Sequence, residues 1–458
     1  MLVGMKTVRS TPHWLLRLAG PCVLCLLAIA TPAQAALTLH SAIAQAQTND
    51  PWLAGNQYSE QSLQAQSIYA GSLPDPKVNL GFANLPTDTF DFNQEAMTQF
   101  QVGVSQVFGR GDSLALEQER LQLLSGQYPH QRDDRRAKVA VTVADLWLEM
   151  FRATQTIRLI EDDRDLFEHL VDVAQSSYSS GMGRTRQQDL VRAQLELTRL
   201  EDRLAMLQQR RDTTAARLAE WLRELPASGN QDNTDWAAVN TLHIELPTQL
   251  PEIDSVKGYS ASRESIAQAL RQHPAILGMD AKIEAWQTGV ELAEQKYRPQ
   301  WSVSASYGYR EDDPMGRDRA DFFSVGVAFD VPLFTSRRQD PQVQSAVAQS
   351  EAVRTDKWLL MRSMLTAVES SQASLMRLQQ RRDLYQSRLL REMHEQSEAS
   401  LAAYTSDDGD FSEVVRAQIA ELNARIEALD IDIDRLKAVS QLNYFFAGVR
   451  QPAEGDES

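Results

Sequence analysis

The sequence contains two copies of one unit, and this duplication constrains the fold more than any other feature. Three short matches recur in the same order: Ile43–Ala46 with Pro51 and Ile266–Ala269 with Pro274, Val102–Val104 and Val325–Val327, and Val191–Gln194 and Val415–Gln418. The offset is 223 for the first two matches and 224 for the third. This pattern predicts repeats at 36–225 and 261–447, a Pro- and Gly-containing equatorial connector at 226–260, and a flexible tail at 448–458.

The N-terminal segment has the features of a secretory signal peptide. Basic residues precede an apolar stretch, and the small residues Ala33 and Ala35 then form a cleavage motif. We expect residues 1–35 to be removed, with no lipid attached at Cys22 or Cys25. Since these are the two cysteines of the sequence, the mature chain would contain no disulfide and no thiolate metal site.

The charge and hydropathy patterns exclude several classes of protein. A formal net charge of −16 is a poor match to nucleic acid, so no nucleic-acid partner is expected. After Ala36 no stretch approaches the roughly 20 apolar residues of a membrane-spanning helix. An exported chain of this kind is therefore either soluble or crosses the outer membrane as strands.

Each repeat is predicted to contain two strands with one apolar and one small, polar face. The alternation is clearest in the second repeat, where Trp301, Val303 and Tyr307 alternate with serines and glycine. The predicted strands lie at about 77–84 and 98–108, and at about 300–310 and 321–333. Such faces also occur in sheets that cover the core of a soluble protein. Strands of about 9–11 residues with aromatic ends favour a position in the membrane.

Long helices with heptad spacing follow each strand pair. Apolar residues spaced alternately by three and four, as from Leu190 to Leu207 and from Val415 to Leu436, predict coiled-coil packing. The helical hairpins are expected at about 113–225 and 341–447, with Pro129 kinking or splitting the first. Four strands per chain cannot form a closed sheet in lipid, so several copies must share one closed sheet. This argument allows both a dimer with eight strands and a trimer with twelve.

The order of these elements resembles the TolC family of outer-membrane efflux proteins. The resemblance covers nearly the whole mature chain and includes two similar hairpin tips, Tyr178 to Gln194 and Tyr404 to Gln418. It implies a mainly α fold with β, in which long coiled-coil helices form a periplasmic tunnel and a homotrimer forms a 12-stranded β-barrel. The implied partners are outer-membrane lipid, a periplasmic adaptor (membrane fusion) protein and an inner-membrane efflux pump, in a Gram-negative bacterium. Leu73–Pro76 and Asn84–Pro86 resemble the heavy-metal efflux branch.

The resemblance also assigns roles to residues at the two tips. The expected periplasmic gate consists of Asp189, Arg192, Glu413 and Arg416. In a ring of copies the Glu413 carboxylates would repel one another and attract cations. Arg416 side chains would pair with these carboxylates. Alternatively, these acids only complement the helix dipole. The expected adaptor-docking tips comprise Tyr178, Gly181, Tyr404, Asp407, Asp408, Gly409 and Asp410, with positive φ at the glycines; the acidic tip is alternatively a solvated turn.

No motif indicates catalysis. His394-Glu395 lacks the second histidine of a zinc-protease helix, and Gly181-Met182-Gly183 lacks the third glycine of a dinucleotide loop. We therefore expect no enzyme activity, no cofactor and no bound metal. The remaining alternative to an efflux channel for metal ions or drugs is a soluble periplasmic coiled-coil adaptor or structural protein, which would carry one hairpin rather than two equivalent units.

Overall fold

The computed structural model describes residues 36–180, 187–224, 244–253, 262–406 and 409–448. The expected signal peptide and tail, most of the connector, Gly181, Asp407 and Asp408 lie outside these residues. Contacts divide the chain into Met1–Ala36 and Leu37–Ser458, and all elements below belong to the second unit.

Both repeats have the same succession of helices and strands. The elements of the first repeat are α1 (Leu39–Asn49), α2 (Pro51–Gly71), β1 (Lys77–Ala83), β2 (Gln99–Val107), α3 (Ser113–Ser125), α4 (Gln127–Ser180) and α5 (Gln187–Leu222). The second repeat comprises α6 (Arg263–Leu270), α7 (Pro274–Glu294), β3 (Trp301–Tyr309), β4 (Phe322–Phe329), α8 (Gln339–Leu384), α9 (Leu390–Thr405) and α10 (Phe411–Phe445). A π-helical turn, Tyr385–Leu389, joins α8 to α9.

The duplication extends to the way in which helices begin. Asp50 caps α2 by accepting a hydrogen bond from the Trp52 backbone N–H at 3.1 Å, and Pro51 is the first helical residue. At the equivalent place His273 caps α7 through Nδ1, which accepts from the Ala275 N–H at 3.2 Å. Proline suits a first helical position because its missing N–H would have no partner there.

The four strands form one antiparallel sheet in the order β1–β2–β3–β4. Val78, Val104, Ala305 and Val325 lie opposite one another across it, and their face also carries Leu80, Val102, Tyr307 and Phe323. The other face presents glycine, serine and amide side chains. In the described chain β1 and β4 each have a strand on one side only, so both edges of the sheet have unpaired backbone groups.

The longest helix is α4, with 54 residues and a length of about 80 Å at 1.5 Å per residue. It is separated from α3 at Gly126, and Pro129 is the third residue of α4. A proline in the first helical turn removes an N–H that has no intrahelical acceptor, so it allows the new helix to start there.

The buried core lies along α4 and α10. Trp147 is fully buried, stacks on Phe151 with ring centroids 5.4 Å apart, and donates from Nε1 to the Leu37 carbonyl at 2.9 Å. Four apolar side chains of the described connector pack against this cluster: Ile244, Leu246, Leu250 and Ile253. The segment between the repeats therefore contributes to the core of the first repeat.

Candidate gate and docking tips

The tips of the two helical hairpins pack against each other within one chain. Phe411 and Val414 at the start of α10 belong to the same buried cluster as Ala174 of α4 and Ala193 of α5. These residues come from the two different repeats. The apolar contact therefore couples the position of one tip to that of the other.

The second tip is held by close backbone packing. The Tyr404 and Phe411 rings meet edge to face, with centroids 5.5 Å apart. Asp410 caps α10 by accepting from the Ser412 N–H at 2.9 Å. At Gly409 a Cβ atom would lie 2.7 Å from the Tyr404 backbone nitrogen. Glycine is needed there because the chain approaches itself closely.

The expectation of positive φ at Gly409 is wrong, since the glycines with positive φ in the described chain are Gly111 and Gly316. The equivalent expectation for Gly181 lies outside the described residues. At the first tip the side chain of Tyr178 is 47% exposed, so unlike Tyr404 it remains available for contacts beyond its own chain.

The four predicted gate residues occupy two different environments. Asp189 is buried in the first turn of α5, whereas Arg192, Glu413 and Arg416 are exposed. Arg416 donates to the Ser412 Oγ at 3.4 Å. Within the described chain no salt bridge joins Glu413 to Arg416, and the pairing of these side chains between copies stays a prediction. Both lie on the side of α10 opposite the apolar cluster.

An ion pair and a hydrogen bond join the two hairpins further along their length, and sequence analysis did not identify them. Arg425 of α10 pairs with Asp163 of α4, and Arg203 of α5 donates to the Asn423 side chain at 2.8 Å. Burial raises the pKa of Asp163 despite the opposing effect of Arg425. The carboxylate is thus held in a partly desolvated place by its arginine partner.

A second charged layer lies nearer the strands. Glu149 of α4 accepts from Lys437 of α10 and from Arg210 of α5, the latter at 2.6 Å, and Arg152 pairs with Asp434. Burial alone would raise the pKa of Glu149, but the hydrogen bond from Lys437 and the neighbouring arginines outweigh it and lower the pKa. Three helices are therefore held in register by charge.

The second hairpin has its own internal contact between α9 and α10. His394 Nδ1 lies 2.9 Å from a Glu421 carboxylate oxygen. This hydrogen bond raises the pKa of His394 above its ordinary value. The link therefore strengthens as the imidazole becomes protonated.

The described residues include no group of three His, Cys, Asp or Glu side chains arranged to hold a metal ion. Within the same residues, no helix combines the length and hydrophobicity that crossing a membrane would require.

Comparison with known protein families gives a match within the second repeat. Residues 265–446, almost the whole second repeat, match the model of the family described as outer membrane efflux protein. No curated protein matches the chain by sequence.

Solved structures share the fold over nearly the full length. The CmeC outer membrane channel of Campylobacter jejuni has a TM-score of 0.70 at 12% identity, covering 95% of this chain and 94% of that one. The outer membrane protein VceC of Vibrio cholerae has a TM-score of 0.71 at 14% identity, covering 89% of this chain and 96% of that one. The CusC structure has a TM-score of 0.68 at 15% identity, covering 89% of this chain and 91% of that one.

The duplicated helical hairpins, the four-stranded sheet and the family match define an outer-membrane efflux channel of the kind that serves tripartite efflux systems. The second repeat matches the outer membrane efflux proteins, a family of channels and not enzymes. The whole chain has the fold of TolC-like channel structures. The sheet lies at its outer-membrane end and the helices form its periplasmic extension. The alternative of a soluble periplasmic adaptor is not supported.

Proposed function

We propose that three copies of this chain form a passive exit duct whose periplasmic entrance is closed at the two hairpin tips. Four strands from each chain would together form a closed sheet of twelve strands, in which β1 and β4 no longer have free edges. An inner-membrane pump supplies the energy, and the duct supplies the path to the exterior.

One observation carries the assignment of the gate. Val414 and Val415 face the apolar cluster, whereas Glu413 and Arg416 are exposed on the other side of the same helical turns. A bundle of three such subunits would turn this charged side toward neighbouring copies or the central axis. There Arg416 of one subunit comes within reach of Glu413 of another, which would close the entrance by salt bridges between chains.

The gate is tested by planar-bilayer conductance of a variant that carries Glu413→Ala and Arg416→Ala. We expect a higher single-channel conductance than in the unmodified protein. The control variant carries Arg391→Ala and Glu395→Ala, which removes an exposed ion pair of 2.9 Å on α9 of the same hairpin without changing net charge. Equal conductance and cation selectivity in all three proteins would contradict the proposal.

The tips are also proposed to dock the periplasmic adaptor. Around the first tip Val191 and Leu195 of α5 are 55% and 47% exposed, next to the exposed Tyr178. Exposed apolar groups at a helical end suit a partner that packs helices against them. Gly181, Asp407 and Asp408 belong to this proposal through the sequence alone, since they lie outside the described residues.

Photo-crosslinking in cells tests the docking surface. A photoreactive residue at Tyr178 or Asp410 should capture a periplasmic adaptor, and one at Asp318, in the loop between β3 and β4, should not. Capture from Asp318 alone, or from none of the three, would contradict docking at the tips.

For the cargo, we propose metal ions, on the basis of the Leu73–Pro76 segment and its resemblance to the heavy-metal branch. Gln106 supports this segment by donating from its side chain to the Pro74 carbonyl at 2.8 Å. A strain lacking the gene should become sensitive to a transition metal. Sensitivity to organic drugs without any change in metal tolerance would assign the channel to drug efflux instead.

A further inference from the structure

The loop between β1 and β2, residues 84–98, folds toward the apolar face of the sheet. Its Phe92 ring stacks on Tyr309 of β3 with centroids 6.3 Å apart and an interplanar angle of 12°. The same ring meets Phe82 of β1 edge to face at 5.9 Å. Phe82 and Tyr309 lie in one row across the strands, both opposite Phe100, so the loop extends the apolar face beyond the strand ends.

Hydrogen bonds fix this loop in place. Arg319, from the loop between β3 and β4, donates to the Asn93 carbonyl at 3.2 Å and to the Glu95 carbonyl at 3.3 Å. Arg310 donates to the Ala96 carbonyl at 3.1 Å. At the base of the loop, Thr98 donates to the Asn84 carbonyl at 2.8 Å. The loop is therefore part of the folded sheet rather than a free connection.

Phe90 is presented by a strained backbone. Its φ is 59°, in the left-handed region that bulky aromatic residues rarely adopt, and its side chain is 68% exposed. A residue held in such a conformation persists where the surroundings enforce it, and such residues cluster at functional places. Met97, at the other end of the loop, is 53% exposed. Both side chains are therefore largely exposed among the residues that the structure describes.

We propose that Phe90, with Phe92 and Met97, anchors this loop in the lipid of the outer leaflet, at the boundary between headgroups and acyl chains. This inference rests on the proposed function. The helices leave the sheet at one end, so the loop at the opposite end lies on the outer side of the membrane. Its aromatic cluster is continuous with the apolar face that meets lipid, and membrane interfaces favour aromatic side chains.

Site-specific labelling tests the anchor. In a background with Cys22→Ser and Cys25→Ser no other cysteine is present, so Phe90→Cys carries a single nitroxide label. Asp318→Cys provides a control in the neighbouring loop, where the residue is exposed. The labelled channels are reconstituted in phosphatidylethanolamine–phosphatidylglycerol vesicles, and collision with oxygen is compared with collision with a water-soluble nickel chelate.

The label at position 90 should collide more with oxygen, and that at 318 more with the chelate. If channels conduct but both labels contact mainly the chelate, the anchor is wrong and the channel function stands. If the protein neither inserts nor conducts, both inferences fail.

A second variant separates lipid binding from folding. Phe90→Asn places a residue that tolerates positive φ in the same turn, so the variant should unfold in detergent at the same temperature as the unmodified protein or higher. Its insertion into vesicles should fall several-fold, and Phe90→Trp should restore it. Unfolding at a lower temperature, or unchanged insertion, would overturn the role in lipid binding.

Discussion

Arg425 of α10 forms an ion pair with Asp163 of α4, joining the two helical hairpins of one chain well away from their tips. The two residues are 262 positions apart in sequence. The apolar cluster of the tips extends along α10 from Phe411 to Ile426, beside this pair. An outward movement of the second hairpin must therefore stretch or break the pair. The pair therefore sets part of the energy required to move the tips apart.

Replacing Arg425 by Ala should destabilise the hairpin contact, because the partly desolvated Asp163 loses its charged partner. We expect a loss of about 1 to 3 kcal/mol in the free energy of unfolding, and easier opening in bilayers. Thermal unfolding followed by circular dichroism measures the first effect. The exchanged pair, Arg425→Asp with Asp163→Arg, serves as the control and should recover part of the loss. A single variant as stable as the original protein would argue against the coupling.

The contact between His394 and Glu421 should make the second hairpin sensitive to pH. Since the folded-state pKa of His394 is raised, its contribution to stability is complete below the unfolded pKa and is lost as pH rises through the folded pKa. The difference in unfolding temperature between the unmodified protein and His394→Gln should therefore shrink from about pH 6 to about pH 8. His40→Gln, on the exposed side of α1, is the control. A difference that grows with pH would contradict this assignment.

Trp147 is expected to be the most sensitive position of the core near the strands. Trp147→Ala removes a fully buried ring and its hydrogen bond to Leu37, which should cost about 3 to 5 kcal/mol. Trp147→Phe keeps most of the packing and should cost less. If the two variants unfold at the same denaturant concentration, the ring packing contributes less than the structure indicates.

The fold class was predicted from sequence and is confirmed, because duplication and alternation are local or regularly spaced signals. The repeat holds even where the residues differ, since Asp50 and His273 cap equivalent helices with different side chains. The order of the four strands was not predicted, and neither was the π-helical turn at Tyr385–Leu389, which carries no distinct local signal.

The candidate site was less predictable than the fold. The contacts of Glu149, Arg152 and Asp163 depend on which helices become neighbours, and spacing along the chain does not encode this. The need for glycine at position 409 arises from a close approach to Tyr404, which the sequence does not distinguish from a left-handed turn. The roles of Asp189, Arg192, Glu413 and Arg416 at a gate stay predictions.

The central claim is that the sheet of one chain closes only with other copies, so that β1 of one subunit lies beside β4 of the next. In one chain these strands are separated by β2 and β3, which places them about 14 Å apart at 4.8 Å per strand. A disulfide between them within one chain is therefore excluded.

Disulfide scanning of the two edges tests this claim most directly. In the cysteine-free background, Asn79→Cys is combined in turn with Ser324→Cys, Gly326→Cys or Ala328→Cys, and membranes are analysed without reducing agent after oxidation. The account predicts that at least one pair gives a covalent trimer that reduction converts to monomer. If every pair yields only monomers while the protein remains folded, the shared sheet, and the channel built on it, would be contradicted.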